Sequence, residues 1–266
     1  MATITSLVDT TTTTNQGTAG DTLHINGTGL GTTTRVNFGS LSVSSGLTVT
    51  PTQVSLTIPS AQCAGQVSVS VTSSTNVTSN ALPFFFVASP SVTGAGTTCG
   101  PAAGGTSVTV FGSNFLTGTG ATVGGTAVTP TPTFTSSNQV TITTPAHTMT
   151  PGSCVDTVDI EVTTAGGTSV PSGSLSQFSY YAAPTITSLS PGTGTAGDEI
   201  AVNGTCFIDV SAVTFSDGTN TIPATWTALG NNLLSTIVPT GLTPGAGTIT
   251  VTTCGGPSNA QAFTIT

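Results

Sequence analysis

The sequence has almost no positive charge: Arg35 is the one basic side chain among 266 residues, against nine acidic ones. Charged residues make up 4% of the chain, and the formal net charge is −8. One arginine cannot neutralise a phosphate backbone, which takes clustered Lys and Arg, so nucleic-acid binding is excluded. The same scarcity leaves almost no site for a trypsin-like protease and almost no salt bridges, so stability has to rest on β packing and cross-links. Long apolar runs are also missing. None approaches the roughly 18 residues of a spanning helix, and membrane insertion is not expected. The N-terminus, from Met1 to Leu7, lacks the charged start and apolar stretch of a secretory signal. Either a leader has been removed, or the protein assembles inside a cell and leaves by another route, as virion proteins do. The expected location is extracellular or the virion surface.

Threonine supplies much of what is there, close to a quarter of the chain, a β-branched bias that favours pleated strands. The apolar residues alternate, which argues against disorder. They also repeat. Three times a Gly-rich turn leads into a strand with two apolar residues two apart: Leu23 and Ile25 after Gly20, Val108 and Val110 after Gly105, Ile200 and Val202 after Gly197. A second matched strand closes on proline each time, at Pro59, Pro145 and Pro239. A third alternation follows, through Val67, Val69 and Val71, then Val158, Ile160 and Val162, then Ile249 and Val251. An aromatic-bearing strand ends each pass: Phe84 to Phe86, Phe178 to Tyr181, Phe263 to Ile265. The period of roughly 80 to 95 residues is the size of one β-sandwich. The expected domains are residues 1–88, 89–183 and 184–266, joined within about three residues, far too short for a flexible linker.

These marks resemble the IPT/TIG family, the Ig-like fold found in plexins, transcription factors and bacterial and phage surface proteins. The resemblance lies in the opening Pro184, Ile186, Ser188, Ser190 and Pro191, the Gly-Gly or Ala-Gly turn, the strand ending in Gly-x-x-Phe, and the later Val-Pro. The first pass departs from it, opening on Thr3-Ile4-Thr5-Ser6-Leu7 and a threonine run without the proline. The resemblance implies an all-β chain of three tandem immunoglobulin-like sandwiches, a stiff rod on the order of 100 Å long.

Five cysteines stand in this framework. In an Ig-like sandwich the A–B and E–F loops share one end, and the B–C and F–G loops share the other. Cys99 and Cys154 then fall at the same end of the second domain, Cys206 and Cys254 together at the opposite end of the third. The expected disulfides are Cys99–Cys154 and Cys206–Cys254, with five buried thiols as the alternative. Cys63, at the position of Cys154 but in the first domain, is expected to be free or bonded to another copy.

Catalytic patterns are missing. His24 and His147, the only histidines, fall in different settings, without the Cys or carboxylate spacing of a metal site. No nucleophile elbow, phosphate loop or His-Glu-x-x-His occurs. No cofactor, no metal and no enzymatic activity are expected; calcium among Asp156, Asp159 and Glu161 is weighed and set aside for want of a loop pattern. Asn26, Asn76 and Asn203 satisfy the glycosylation sequon, two of them on the repeat's strand-ending turn. Trp226 is aligned with Phe134 and Leu47 and is expected in the core. Phe84, Phe85 and Phe86 cannot all face inward, because strand side chains alternate, and are a candidate contact with the next domain or another subunit.

The expected function is a structural or adhesive surface protein, a subunit of a virion or of a cell-surface filament. Other copies of itself are the first partners to consider. A secreted module for glycans or a host receptor, or a spacer in a larger secreted enzyme, is the alternative.

Overall fold

The computed structural model describes residues 1–60, 65–116 and 119–266. Cys63 lies outside the described residues, so the expectation placed on it is not addressed by the structure. Alternation and β-branching have their expected result: the chain is built of strands grouped into six sheets, two for each of three successive units.

The first unit holds β1 (Thr3–Asp9), β2 (Gln16–Gly17), β3 (Thr22–Thr28), β4 (Thr33–Phe38) and β5 (Leu41–Val43). It continues with β6 (Thr48–Val49), β7 (Gln53–Thr57), β8 (Gly65–Ser73) and β9 (Leu82–Phe86). One sheet runs β1-β3-β7-β6 and the other β2-β9-β8-β4-β5.

The second unit begins with β10 (Ser91–Ala95), β11 (Cys99–Pro101), β12 (Ser107–Ser113), β13 (Gly120–Val123) and β14 (Thr126–Ala127). It goes on through β15 (Thr133–Ser136), β16 (Gln139–Thr143), β17 (Val155–Thr164), β18 (Gly167–Thr168) and β19 (Gln177–Tyr181). The third has β20 (Thr185–Ser190), β21 (Thr193–Gly194), β22 (Glu199–Thr205), β23 (Ala212–Ser216) and β24 (Thr221–Ala224). It ends with β25 (Trp226–Gly230), β26 (Leu233–Ile237), β27 (Gly245–Thr253), β28 (Gly256–Pro257) and β29 (Gln261–Ile265). Both units repeat the order of the first, β10-β12-β16-β15 and β20-β22-β26-β25 on one side, β11-β19-β17-β13-β14 and β21-β29-β27-β23-β24 on the other.

In every unit the opening strand divides. Its first half pairs antiparallel in one sheet, then the chain crosses and lays a short strand parallel to the last one: β2 on β9, β11 on β19, β21 on β29. That crossing covers an edge that would otherwise be open to pairing. A bulge lies in each opening strand, between Ile4 and Ser6, Val92 and Gly94, and Ile186 and Ser188. Opposite it stand Gly27, Gly112 and Gly204, where a Cβ would come within 2.1, 1.9 and 2.1 Å of a carbonyl oxygen of the opening segment. This contact is the reason for the strand-ending glycine seen three times in the sequence.

Each unit has its own buried core, and the alternating residues fill it. Leu23, Ile25, Val54, Val69 and Val71 meet in the first, Val108, Val110, Val140, Ile160 and Val162 in the second, Ile200, Val202, Leu234, Ile249 and Val251 in the third. Phe84 and Phe86 belong to the first core and meet edge-on at 5.3 Å, so the proposed contact role does not hold for them. Phe85 alone is turned to the other face and half-buried. Trp226 packs against the third core, as expected. Its register partner is Thr236, and Leu47 holds the matching place in the first unit, but Phe134 pairs with Val140 and so lies two positions further along. The third unit carries the same bulge, between Ala228 and Gly230, so Phe134 matches Ala228 and not Trp226, and it is left 37% exposed at the sheet edge.

Candidate functional site

The four cysteines of the second and third units converge on the joint between them. Cys99 opens β11 and sits opposite Ser179 of β19; Cys154 precedes β17, whose first residue, Val155, sits opposite Tyr181. Both therefore lie at the end of the second unit where its last strand leaves. Cys206 follows β22, and Cys254 lies in the turn between β27 and β28, at the end of the third unit where β20 enters. That much follows the expectation. The pairing does not: the bonds are Cys99–Cys254 and Cys154–Cys206, with Cα separations of 6.1 and 5.3 Å, and both cross from one unit to the next.

The expected within-unit bonds fail on distance. Cys99 and Cys154 flank β19 on opposite sides, two strand spacings apart, which is roughly 9–10 Å before their offset along the strand is added. Cys206 and Cys254 leave different sheets of one sandwich, whose layers pack about 10 Å apart. Cα atoms beyond about 7 Å cannot be bridged without moving the backbone. With the units stacked end to end, the nearest partner of each cysteine belongs to the neighbouring unit.

Cys206 has φ +59°, in the left-handed region. Gly29 and Asn114 hold the same place after the matching strands of the first and second units, at +67° and +59°. A fixed backbone kink thus aims the side chain at this position towards the preceding unit.

The joint has further ties. Gly255 packs under the connecting segment, where a Cβ would stand 2.3 Å from the Ala182 carbonyl oxygen. The Tyr181 hydroxyl donates to the Asp209 carboxylate of the third unit. That bond, with desolvation behind it, pushes the phenol up to about 12. Between the first and second units the same seat recurs without a described disulfide: a Cβ on Gly166 would stand 2.1 Å from the Ala88 carbonyl oxygen. There Ser89 Oγ donates to the Gly166 carbonyl at 2.9 Å, and Asn114 Nδ2 to the Ser89 carbonyl at 2.9 Å.

Behind Cys154 the loop from Pro145 to Ser153 is held by a polar cluster. His147 Nε2 lies 3.1 Å from Asp156 Oδ2, its ring stacks on Tyr180 at 4.7 Å, and its backbone N–H donates to the Ala102 carbonyl. Asp156 also accepts from the Thr150 backbone N–H at 2.6 Å. That bond, with smaller help from Ser153 and His147, holds its carboxyl down at about 2. Tyr180 is raised by burial, and its hydroxyl donates to the Pro145 carbonyl. These contacts fix the loop against β17 and β19.

The remaining candidates do not assemble. His24 sits half-buried on β3, in a different unit from His147. By strand alternation Asp156 projects to one face of β17, and Asp159 and Glu161 to the other. Among the described residues no three His, Cys, Asp or Glu side chains group to hold a metal, and no helix is long and apolar enough to cross a membrane. Asn26 is engaged structurally, donating to Ser6 Oγ and accepting from Gln53. Sequence reasoning missed Asp9, fully buried, whose Oδ1 accepts from the N–H groups of Thr11 and Thr12 and so orders the threonine run. An aspartate directly ahead of that run was the available signal.

Comparison with known proteins follows this architecture. Solved structures similar to the chain include a protein crystallised with a xylogluco-oligosaccharide, at 21% identity, TM-score 0.40, covering 99% of this chain and 60% of that one. The full extracellular region of plexin A4 matches at 16% identity, TM-score 0.40, covering 94% of this chain and 23% of that one. SGBP-B from a xyloglucan utilization locus in Bacteroides uniformis matches at 15% identity, TM-score 0.32, with both chains covered in full. The chain thus spans less than two thirds of the length of the first two. Comparison with curated proteins gives no match. The IPT/TIG domain profile matches three times, over residues 2–86, 90–180 and 184–265, and the chain belongs to that family.

Proposed function

We propose that the chain is a non-enzymatic spacer of an extracellular surface, a stiff rod of three IPT/TIG domains that works as a structural or adhesive subunit of a larger assembly. One observation carries this reading: four cysteines are spent on locking the second domain to the third, not on stabilising either alone. A protein that works through one domain's pocket gains little from a fixed angle to its neighbour. A protein that works by holding a distance or direction depends on it. Support also comes from the connecting segments, each seated on a glycine of the next domain. The cystines fit an oxidising compartment outside the cell. The near absence of lysine and arginine suits exposure to trypsin-like proteases.

Within that class a virion decoration, tail or fibre protein and a cell-surface filament are the two placements, with other copies or other subunits as partners. Electron microscopy of the native particle tests this. Virions or filaments studded with the chain support the reading. A freely soluble monomer that binds on a glycan array replaces it with the secreted glycan-binding alternative.

A further inference from the structure

We infer that the Cys99–Cys254 bond makes the second and third domains an inextensible shank, leaving the first domain as the element that yields when the chain is pulled by its ends. The covalent connectivity requires it. Tension entering at Met1 runs along the backbone to Cys99, crosses the sulfur bridge to Cys254, and leaves along the last residues to Thr266. The two bonded cysteines are 155 positions apart, and all the chain between them hangs off the loaded path. Of the second domain only β10 lies on that path, and of the third only β28 and β29. The cores of both domains are built mainly from the shielded strands β12, β16, β17, β22, β26 and β27.

The first domain has no such protection from these bonds. All of β1 to β9 lies between Met1 and Cys99, with the opening strand β1 and the closing strand β9 at the two points of loading. The bonds are also nested, since Cys154–Cys206, 52 positions apart, lies inside the loop closed by Cys99–Cys254. Breaking the outer bond alone still leaves the inner segment locked. An extended chain spans about 3.3–3.6 Å per residue, so the outer loop withholds roughly 500 Å of length and the inner one roughly 180 Å. Nothing comparable would follow from bonds within each domain, which would leave both domains on the loaded path.

This deepens the spacer reading, on which its use under tension rests. Single isolated chains, held by tags at both ends in a force spectrometer, test the clamp whether or not the protein assembles. The oxidised chain is expected to give one full-domain release of roughly 300 Å, that of the first domain. The double variant C99S/C254S is expected to add releases that fall short of two further domains by the inner loop, roughly 180 Å. A dithiol reagent, which reduces each cystine to two thiols and is itself oxidised to a cyclic disulfide, is expected to restore that missing length. The first-domain release, present in every trace, shows that a variant chain is folded. Three full-domain releases from the oxidised chain would overturn the inference, as would two shortened ones beside the first. A chain that shows the shielded pattern but joins no assembly would leave the clamp standing and remove its use.

Discussion

Gly255 lies so close to Ala182 that a Cβ on it would come within 2.3 Å of the Ala182 carbonyl oxygen, and Gly166 meets Ala88 in the same way one domain earlier. The repeated contact sets the angle at which each domain leaves the one before it. Backbone on one side and a tight turn on the other leave no side chain to yield, so alanine at either place has to move the joint. Overpacking of this kind costs about 1–3 kcal/mol. G166A is expected to change the solution scattering profile while the melting of the separate domains stays close to that of the parent. G255A, held by two cystines, is expected to keep the shape and show the cost as lowered stability of the second and third domains.

Removing a cystine should act on two domains at once. The double variant C154S/C206S is expected to lose about 2–4 kcal/mol against denaturant, since the bond restricts the unfolded chain. The loss should fall on the second and third domains together and leave the first unfolding as before. Hydrogen exchange resolved by domain separates these outcomes. A loss confined to one domain would contradict the cross-domain pairing.

Legibility in the sequence followed periodicity. The strand repeat, the three cores and the end of the sandwich at which each cysteine lies all come from patterns local to one domain, and these were readable. Which cysteine meets which depends on how two domains stack, and no period in the sequence carries that. Cys99 added a second difficulty. It looks like loop, two residues before a proline, yet it starts the short parallel strand β11 on the far side of β19 from Cys154. Three residues paired parallel to a distant strand leave no alternation to read. Phe134 shows a simpler limit: matching it to Trp226 by residue type misplaces it by two positions, since its strand and bulge correspond to those at Ala228. The phenylalanine triplet was readable as to alternation but not as to which ring faced out; burial assigns that to Phe85.

Acid should loosen the loop behind Cys154. The Asp156 carboxyl is held at about 2, chiefly by the Thr150 N–H, below its ordinary value of 3.8. A carboxyl lowered by folding stabilises the folded state above its unfolded value, and that contribution is lost as pH falls through its folded value. The window therefore runs from about pH 4 down to about pH 2. Asp217, bound by the N–H groups of Asn220, Thr243 and Thr219, is also held well below the usual carboxylate range and adds to the effect in the third domain. Protection of the Thr150 amide, taken against the unfolded-chain exchange rate at the same pH, is expected to fall across this window, and in the variant D156N to be lowered already at pH 7.

Alkali should act on the joint from the other direction. Tyr181 is raised to about 12 by its bond to Asp209, and a group raised by folding stabilises fully below its unfolded value, near 10, then loses that contribution as pH climbs to 12. Tyr180 is raised as well, by burial. Phenolate absorbance at pH 10 should therefore be lower in the folded protein than in the unfolded chain, and D209N should bring one of the two tyrosines back towards the free value. Two tyrosines titrating normally in the folded parent would contradict the contact.

The central claim is that the second and third domains are joined by two bonds that cross between them. Digestion of the unreduced protein with a protease of broad specificity, followed by mass spectrometry of the linked peptides, reads this directly. Peptides joining Cys99 to Cys254 and Cys154 to Cys206 are the predicted result; peptides joining Cys99 to Cys154 and Cys206 to Cys254 would contradict it.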